Sequence, residues 1–340
     1  MRIKSMMVLV ISVIVISGIT IFLLQRQFVS QPEKIYHIAI VTRKDVATYE
    51  EAIQSYRKKM RDLGYVEGKT ISYATHYFNN NAELNQIVRD VVASGPDLIT
   101  TYSTPATVEV YKQTKSLTQP IPVVFASMGD PLGAGVVQDI VRPGTNVTGV
   151  ASLASELTSN RIHLLKEIKP SIKRIAMPHS ADALNDSSAR KSVQVAQQTA
   201  RELGINLLLL PVSSQEENTS VAALITREKV DGMIVGGDSL IWGSIGLYIA
   251  QAIKEKIPMA AFDLTQITKG ALIGMGPDYA HVGKQAAVLT HQILRGASPA
   301  TVAVQVPEKL VLAVNLATAH AIGITLSDEL MKRVDVVIGK

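Results

Sequence analysis

The chain has 340 residues, with 34 Lys and Arg against 29 Asp and Glu, a formal net charge of +5 and no cysteine. At about 150 residues per domain this length suggests two domains, and 47% hydrophobic residues are too many for a disordered chain. The absence of cysteine excludes a disulfide scaffold, thiolate zinc and iron–sulfur sites, a cysteine nucleophile and a lipid-modified N-terminal cysteine. Arg2, Lys4 and Arg26 concentrate positive charge in an acid-free N-terminal stretch, so the rest is nearly neutral. A near-neutral body argues against a nucleic-acid partner.

Met6 to Leu24 carries no charge and follows Arg2 and Lys4. As a helix it spans roughly 28 Å, close to a bilayer core, and the basic flank keeps its N-terminal side in the cytoplasm. The residues that follow, Gln25 to Ser30, contain no small-x-small cleavage site, as a signal peptide would. An uncleaved signal anchor through residues 6–24 is therefore the favoured reading of residues 1–28, with a cleaved signal peptide as the alternative. Either exports the body to the periplasmic or other extracytoplasmic face of the inner membrane.

From Tyr36 onward, short apolar runs alternate with amphipathic segments. Tyr36–Val41 reads as a buried strand. Tyr49, Ile53, Tyr56, Met60 and Leu63 share one helix face, which Gly64 ends. Strand Ile71–Phe78, helix Ala82–Ala93, strand Leu98–Thr101, helix Thr104–Gln113 and strand Pro122–Ala126 follow. Gly129 to Gly144 is Gly/Pro-rich and marks loops. After strand Val147–Val150 the alternation restarts with helix Leu153–Glu167, strand Arg174–Met177, helix Ala189–Leu203 and strand Asn206–Leu210. Then come helix Gln215–Glu228, strand Gly232–Val235, helix Ser244–Lys256, strands Met259–Phe262 and Ala271–Met275, helix Tyr279–Leu294 and two strands around Pro307. Such alternation implies parallel sheets with helices on both faces. Its restart implies two α/β lobes, each a doubly wound parallel sheet.

In open parallel sheets, ligands bind beyond the carboxyl ends of the strands. That rule selects Thr42–Thr48, Tyr102-Ser103-Thr104 and Ser127-Met128-Gly129-Asp130 in the first lobe. In the second it selects Pro178–Ser180, Gly236–Ser239 and Asp263. Ser103 and Thr104 stand at a helix start beside Pro105, where hydroxyls and free N–H groups suit an anion; capping of the helix itself is the competing role. Asp238 and Asp263 can hold an ammonium or hydroxyl group or cap the turns that follow them. Asp130 precedes Pro131 in a turn. Arg43 and Lys44 form either a basic pair at the cleft or a solvated loop edge.

No P-loop, HExxH, G-x-S-x-G or Gly-rich dinucleotide fingerprint occurs, and no two of the seven histidines share i, i+4 spacing. Neither a metal, a cofactor nor an enzymatic activity is expected.

Several pieces resemble a known family: Asp62-Leu63-Gly64-Tyr65-Val66-Glu67-Gly68-Lys69, Pro122–Ala126, Gly129-Asp130-Pro131-Leu132-Gly133-Ala134-Gly135 and Arg142–Val150. They continue with Lys269–Leu272, Gly283-Lys284-Gln285 and Pro307–Leu310, followed by Val314-Asn315-Leu316. In this order the chain resembles the solute-binding proteins of ABC transporters, in the group with tryptophan- and tyrosine-binding members. The resemblance implies the type I periplasmic-binding-protein fold, its two lobes joined by a hinge and closing on a small solute without catalysis. It implies a first lobe of 35–150 plus about 276–300 and a second of 151–275 plus about 301–340. It also adds Asn185 to the ligand-binding candidates Ser103, Thr104, Ser127, Asp130, Asp238 and Asp263. The implied role is an extracytoplasmic receptor for an amino acid or analogue, partnered by ABC permease and ATPase subunits. A membrane-tethered sensor that signals to a membrane partner is the alternative. Relatives carry an aromatic- or His-containing loop after strand one, where this chain has Thr42-Arg43-Lys44-Asp45-Val46.

Overall fold

A computed structural model describes residues 34–181 and 186–339. The membrane segment expected over residues 6–24 lies outside them, and no helix among the described residues is long and apolar enough to cross a membrane.

The first sheet is built from β1 (Tyr36–Arg43), β2 (Ile71–Phe78), β3 (Leu98–Tyr102), β4 (Val123–Met128) and β5 (Val147–Ala151), in the order β2-β1-β3-β4-β5. Every pairing in it is parallel. Its crossovers are α1 (Ala47–Asp62), α2 (Asn81–Ala93) and α3 (Thr104–Thr114). Successive side chains of a strand point to opposite faces, so β1 feeds two cores. Ile38 and Ile40 pack with Tyr49, Ile53 and Tyr56 of α1, while Ala39 and Val41 pack with Val88 and Val110 on the other face. Burial on both faces explains why β1 reads as an unbroken apolar run.

Local signals set the helix ends. Asn80 accepts from the Glu83 N–H at 3.0 Å while Glu83 accepts from the Asn79 N–H at 2.8 Å, a reciprocal cap for α2. Gly64, at φ +95°, takes the left-handed turn that stops α1.

The second sheet contains β6 (Arg174–Ser180), β7 (Asn206–Val212), β8 (Gly232–Ile234), β9 (Met259–Ala261), β10 (Ile273–Pro277), β11 (Leu310–Asn315) and β12 (Val336–Ile338). Their order is β12-β11-β10-β9-β8-β6-β7. Its helices are α4 (Thr158–Ile168), α5 (Ser187–Glu202), α6 (Asn218–Ala223), α7 (Ser239–Gly243), α8 (Ile245–Lys254) and α9 (Leu264–Thr268), with α11 (Leu316–Ile322) and α12 (Asp328–Met331) near the C-terminus. Between β10 and β11 the chain returns to the first lobe as α10 (Tyr279–Leu294), which packs along α1. Gly283 permits this approach, because a Cβ there would collide with the Ala52 carbonyl.

Three segments cross between the lobes: the turn after β5, Asp278, and the stretch from α10 to β11. On the last, the Gln305 N–H donates to the Gly149 carbonyl and its carbonyl accepts from Ala151, both at 2.8 Å, beside β5. Two α/β lobes joined by several crossings match the two-lobed architecture read from the sequence.

The details differ in places. The helix expected from Leu153 begins at Thr158, because Leu153 takes a left-handed φ of +56° in the crossing. Gln215–Glu228 holds only the short α6, and the apolar segment around Ser244 divides into α7 and α8. Ahead of Pro307 there is a single backbone bridge in place of a strand. β11 runs antiparallel to β10, so the second sheet is mixed. The C-terminal elements α11, α12 and β12 had no counterpart in the reading of the sequence.

Candidate functional site

The carboxyl ends of the two sheets face each other. Between them lies a small cavity, walled by Tyr49, Thr104, Ser127 and Gly129 from the first lobe and by Asp186, Ser188, Gly237, Ser239 and Trp242 from the second. Ser152 and Ala154, on the crossing after β5, close its base. A larger recess shares Asp186 and Ser239 with it and reaches out past Arg43, Asn80 and Pro105.

The first-lobe wall is mostly neutral. Ser103 caps α3, its Oγ accepting from the Ala106 N–H at 3.4 Å. Its backbone, at φ 123° and ψ 154°, occupies a region that only glycine adopts easily. Such strain costs about 1–3 kcal/mol and gathers at ligand sites. Pro105 fits the first turn of α3 because its missing N–H would have no helical partner. Ser127 Oγ lies 3.1 Å from Tyr279 Oη. Burial pushes the phenols of Tyr49 and Tyr279 far above their ordinary pKa, so they are neutral. Arg43 supplies a cation at the recess. It is 6% exposed, lies 5.6 Å over the Phe78 ring and donates to the Asn79 carbonyl at 2.8 Å. Burial lowers its pKa, and Asp238 and Asp186 act in the opposite sense. The solvated loop edge is therefore the wrong alternative for Arg43.

The second-lobe wall is acidic and aromatic. Asp186 caps α5 through the Ala189 N–H at 3.0 Å. Asp238 caps α7, with one oxygen accepting from Leu240 and Ile241 and the other from the Ser180 N–H. Burial raises the pKa of both acids, and the field of Asp238 adds to the shift at Asp186. Asp263 caps α9 through the Gln266 N–H at 3.0 Å and accepts from Thr48 Oγ1 of the first lobe at 2.8 Å. Burial raises its pKa as well. Trp242 stacks on Phe262, centroids 4.8 Å apart, and faces Tyr49 across the cleft at 6.0 Å.

The lobes also touch directly. Thr104 Oγ1 lies 2.6 Å from Ser188 Oγ, which accepts from the Gly129 N–H at 2.9 Å. A Cβ on Gly129 would sit 2.6 Å from that hydroxyl, so glycine permits the contact. Lys191 pairs with Asp130 across the cleft at 3.7 Å. These contacts and the Thr48–Asp263 bond define a closed arrangement.

Of the residues singled out in the sequence, Thr104 and Ser127 line the cavity. Ser103 lies directly behind Thr104 in the cap. Asp238 and Asp263 are buried at the second-lobe strand ends, where both cap the turns that follow them, and neither lines the cavity or the recess. Asp130 is half-buried at the rim, accepting from the Gly133 N–H at 3.0 Å in its turn. Asn185 lies outside the described residues. Asp186, Tyr49 and Trp242 were missed. Asp186-Ser187-Ser188 ahead of a helix is a readable cap signal, whereas the aromatic pair joins positions distant in sequence and left no local trace.

The walls offer hydroxyls, aromatic faces and buried carboxylates. No cluster of residues able to hold a metal occurs among the described residues. The arrangement suits reversible binding of a small zwitterion. A tyrosine-binding protein of Clostridioides difficile is 27% identical over 283 residues, 80% of this chain and 76% of the relative. An ABC domain from Streptococcus pneumoniae, solved in complex with L-Trp, matches with a TM-score of 0.82 and 24% identity over 90% of this chain and all of that one. A conserved domain protein from Vibrio cholerae matches with a TM-score of 0.82 and 26% identity, covering 89% and 99%. Residues 37–338 fit the model of the ABC transporter substrate binding protein family. The chain belongs to that family, whose members bind solutes and are not enzymes.

Proposed function

We propose that the chain is the receptor of an ABC importer and binds an amino acid, aromatic by preference, between its lobes. One observation carries the reading: an inter-lobe cavity with a hydroxyl-lined helix start on one side and buried carboxylates beside an aromatic pair on the other. A solute carboxylate would meet the hydroxyls of Ser103 and Thr104 at the start of α3. The solute ammonium would meet Asp186, with Asp238 close by, and a ring would pack at the edge of the Tyr49–Trp242 pair. Ser127 would complete the lining, Asp263 would act from its neighbouring strand end, and Asp130 would close the rim. The aromatic preference draws on the names of the relatives and on this pair of rings.

The lobes in this reading comprise 35–150 with about 276–300, and 151–275 with about 301–340, moving about the three crossings. Residues 6–24 would hold the receptor to the outer face of the inner membrane, where permease and ATPase subunits would take up the solute. A thermal-shift panel of amino acids and small organic anions tests the solute class. A ligand at about 100 times its dissociation constant adds roughly 2.7 kcal/mol of stability. Stabilisation by tyrosine or tryptophan is the expected result, and a panel with no stabilising amino acid would remove it. Mass spectrometry of the native N-terminus tests the tether, since a mature chain starting near residue 29–35 would show cleavage.

A further inference from the structure

Arg161, one turn into α4, is fully buried. Its Nη2 donates to the Ala154 carbonyl at 2.6 Å and to Thr158 Oγ1 at 2.7 Å. Its Nε and Nη1 have no hydrogen-bond partner among the described residues. Asp263, the acid whose field it feels, is engaged by Thr48, Thr265 and Gln266. Burying a cation with donors unmet costs folding free energy, and an apolar side chain of similar volume is often at least as stable in such a place. The contacts that Arg161 does make all lead to the cavity. Ala154 lines its base, on the crossing after β5. The guanidinium also lies 5.2 Å from the Phe262 ring centre. Phe262 is stacked on Trp242, and Trp242 faces Tyr49 of the opposite lobe.

We propose that Arg161 is a positioning residue for solute binding: it fixes the Ala154 carbonyl at the hinge and, through Phe262, the plane of Trp242, at a cost to the stability of the empty protein. This rests on the reading of the cavity as the solute site. The role needs a planar cation that can lie over a ring while one of its nitrogens holds a carbonyl. Lysine keeps the charge without the plane, and methionine keeps much of the volume without either charge or donor.

Trp242 is the single tryptophan of the chain, so its fluorescence reports on this stack alone. The full chain is compared with Arg161→Met and Arg161→Lys by thermal unfolding, Trp242 emission and titration with L-tyrosine. The account predicts that Arg161→Met without solute melts no lower than the parent, has altered Trp242 emission and binds L-tyrosine roughly tenfold more weakly. Arg161→Lys should also shift the emission and weaken binding, by less. A lowered melting point with parental emission and affinity would make Arg161 a purely structural residue and overturn the proposal. If Arg161→Met does not fold, parental emission and affinity in Arg161→Lys overturn it equally. If the parent binds no amino acid, the cavity reading fails by itself. The emission and melting of the empty variants then still decide whether Arg161 sets the stack.

Discussion

The two walls of the cleft are chemically unlike. The first-lobe wall presents Thr104, Ser127 and Tyr49, and its cation, Arg43, stands out at the recess. The second-lobe wall presents Asp186 with Trp242, while Asp238 and Asp263 stand at neighbouring strand ends, and each of the three acids is buried and raised in pKa. Neither wall can satisfy a zwitterion alone. A helix start that suits an anion and a set of buried acids that suit a cation meet only when the lobes close. A ligand shifts such an equilibrium by its extra interactions in the closed form, and this asymmetry assigns each end of the solute to one lobe.

Breaking the acidic wall should have the largest effect. In Asp186→Asn the cap of α5 survives, because asparagine caps as well as aspartate. The ammonium partner is lost. Removing one member of a buried charge pair costs about 2–5 kcal/mol, so calorimetry should show amino-acid affinity falling roughly 30-fold or more with little change in the unfolding midpoint. An unchanged affinity would move the ammonium elsewhere on that wall.

The same acids give a pH dependence with two opposite signs. Burial raises Asp186 and Asp263 above the usual aspartate value of 3.8, so the folded, empty protein holds these protons more tightly than the unfolded chain. Their contribution to stability is full below that value and is lost as pH rises through their raised range. Solute affinity should change the other way, strengthening as the acids ionise. Unfolding midpoints and calorimetry across that interval read the two trends, and parallel trends would contradict the assignment of the ammonium.

The neutral wall can be sharpened at Ser103. Ser103→Gly relieves backbone strain of about 1–3 kcal/mol, offset by glycine's greater entropy loss on folding, roughly 0.5–1 kcal/mol. Chemical denaturation should show stability unchanged or slightly raised, with weaker solute binding. A clear loss of stability would mean that the strain is absent.

The contact between the walls gives the smallest effect. Thr48→Val deletes the hydroxyl that donates to Asp263, worth about 1 kcal/mol. Small-angle scattering without solute should then show a slightly larger radius of gyration. An identical profile would mean that the bond adds nothing to closure.

Much of the first lobe was legible in the sequence, because β1 to β4 are short strands separated by helices with clear stops such as Gly64, and a Gly/Pro-rich loop marks the way to β5. The carboxyl-end rule also pointed to Thr104 and Ser127, which stand in the cavity wall. The antiparallel β11 was not legible, since a strand's direction depends on where the chain re-enters the sheet after α10, and local pattern does not encode that. The short α11, α12 and β12 are too brief for a period to show. Arg161 sits beside Ile162, Leu164 and Leu165, and one charge in an amphipathic segment reads as a solvated position. Its burial follows from the packing of α4 beneath Phe262, a contact between residues a hundred positions apart.

The most direct test of the central claim compares a free amino acid with one whose ammonium has been removed as a charge. Calorimetric titration of the full chain with L-tyrosine and with N-acetyl-L-tyrosine isolates that group while keeping the ring and the carboxylate. The account predicts saturable one-to-one binding of L-tyrosine and a loss of at least about 30-fold on acetylation, the effect of leaving a buried acid unpaired. Equal binding of the two compounds would contradict it.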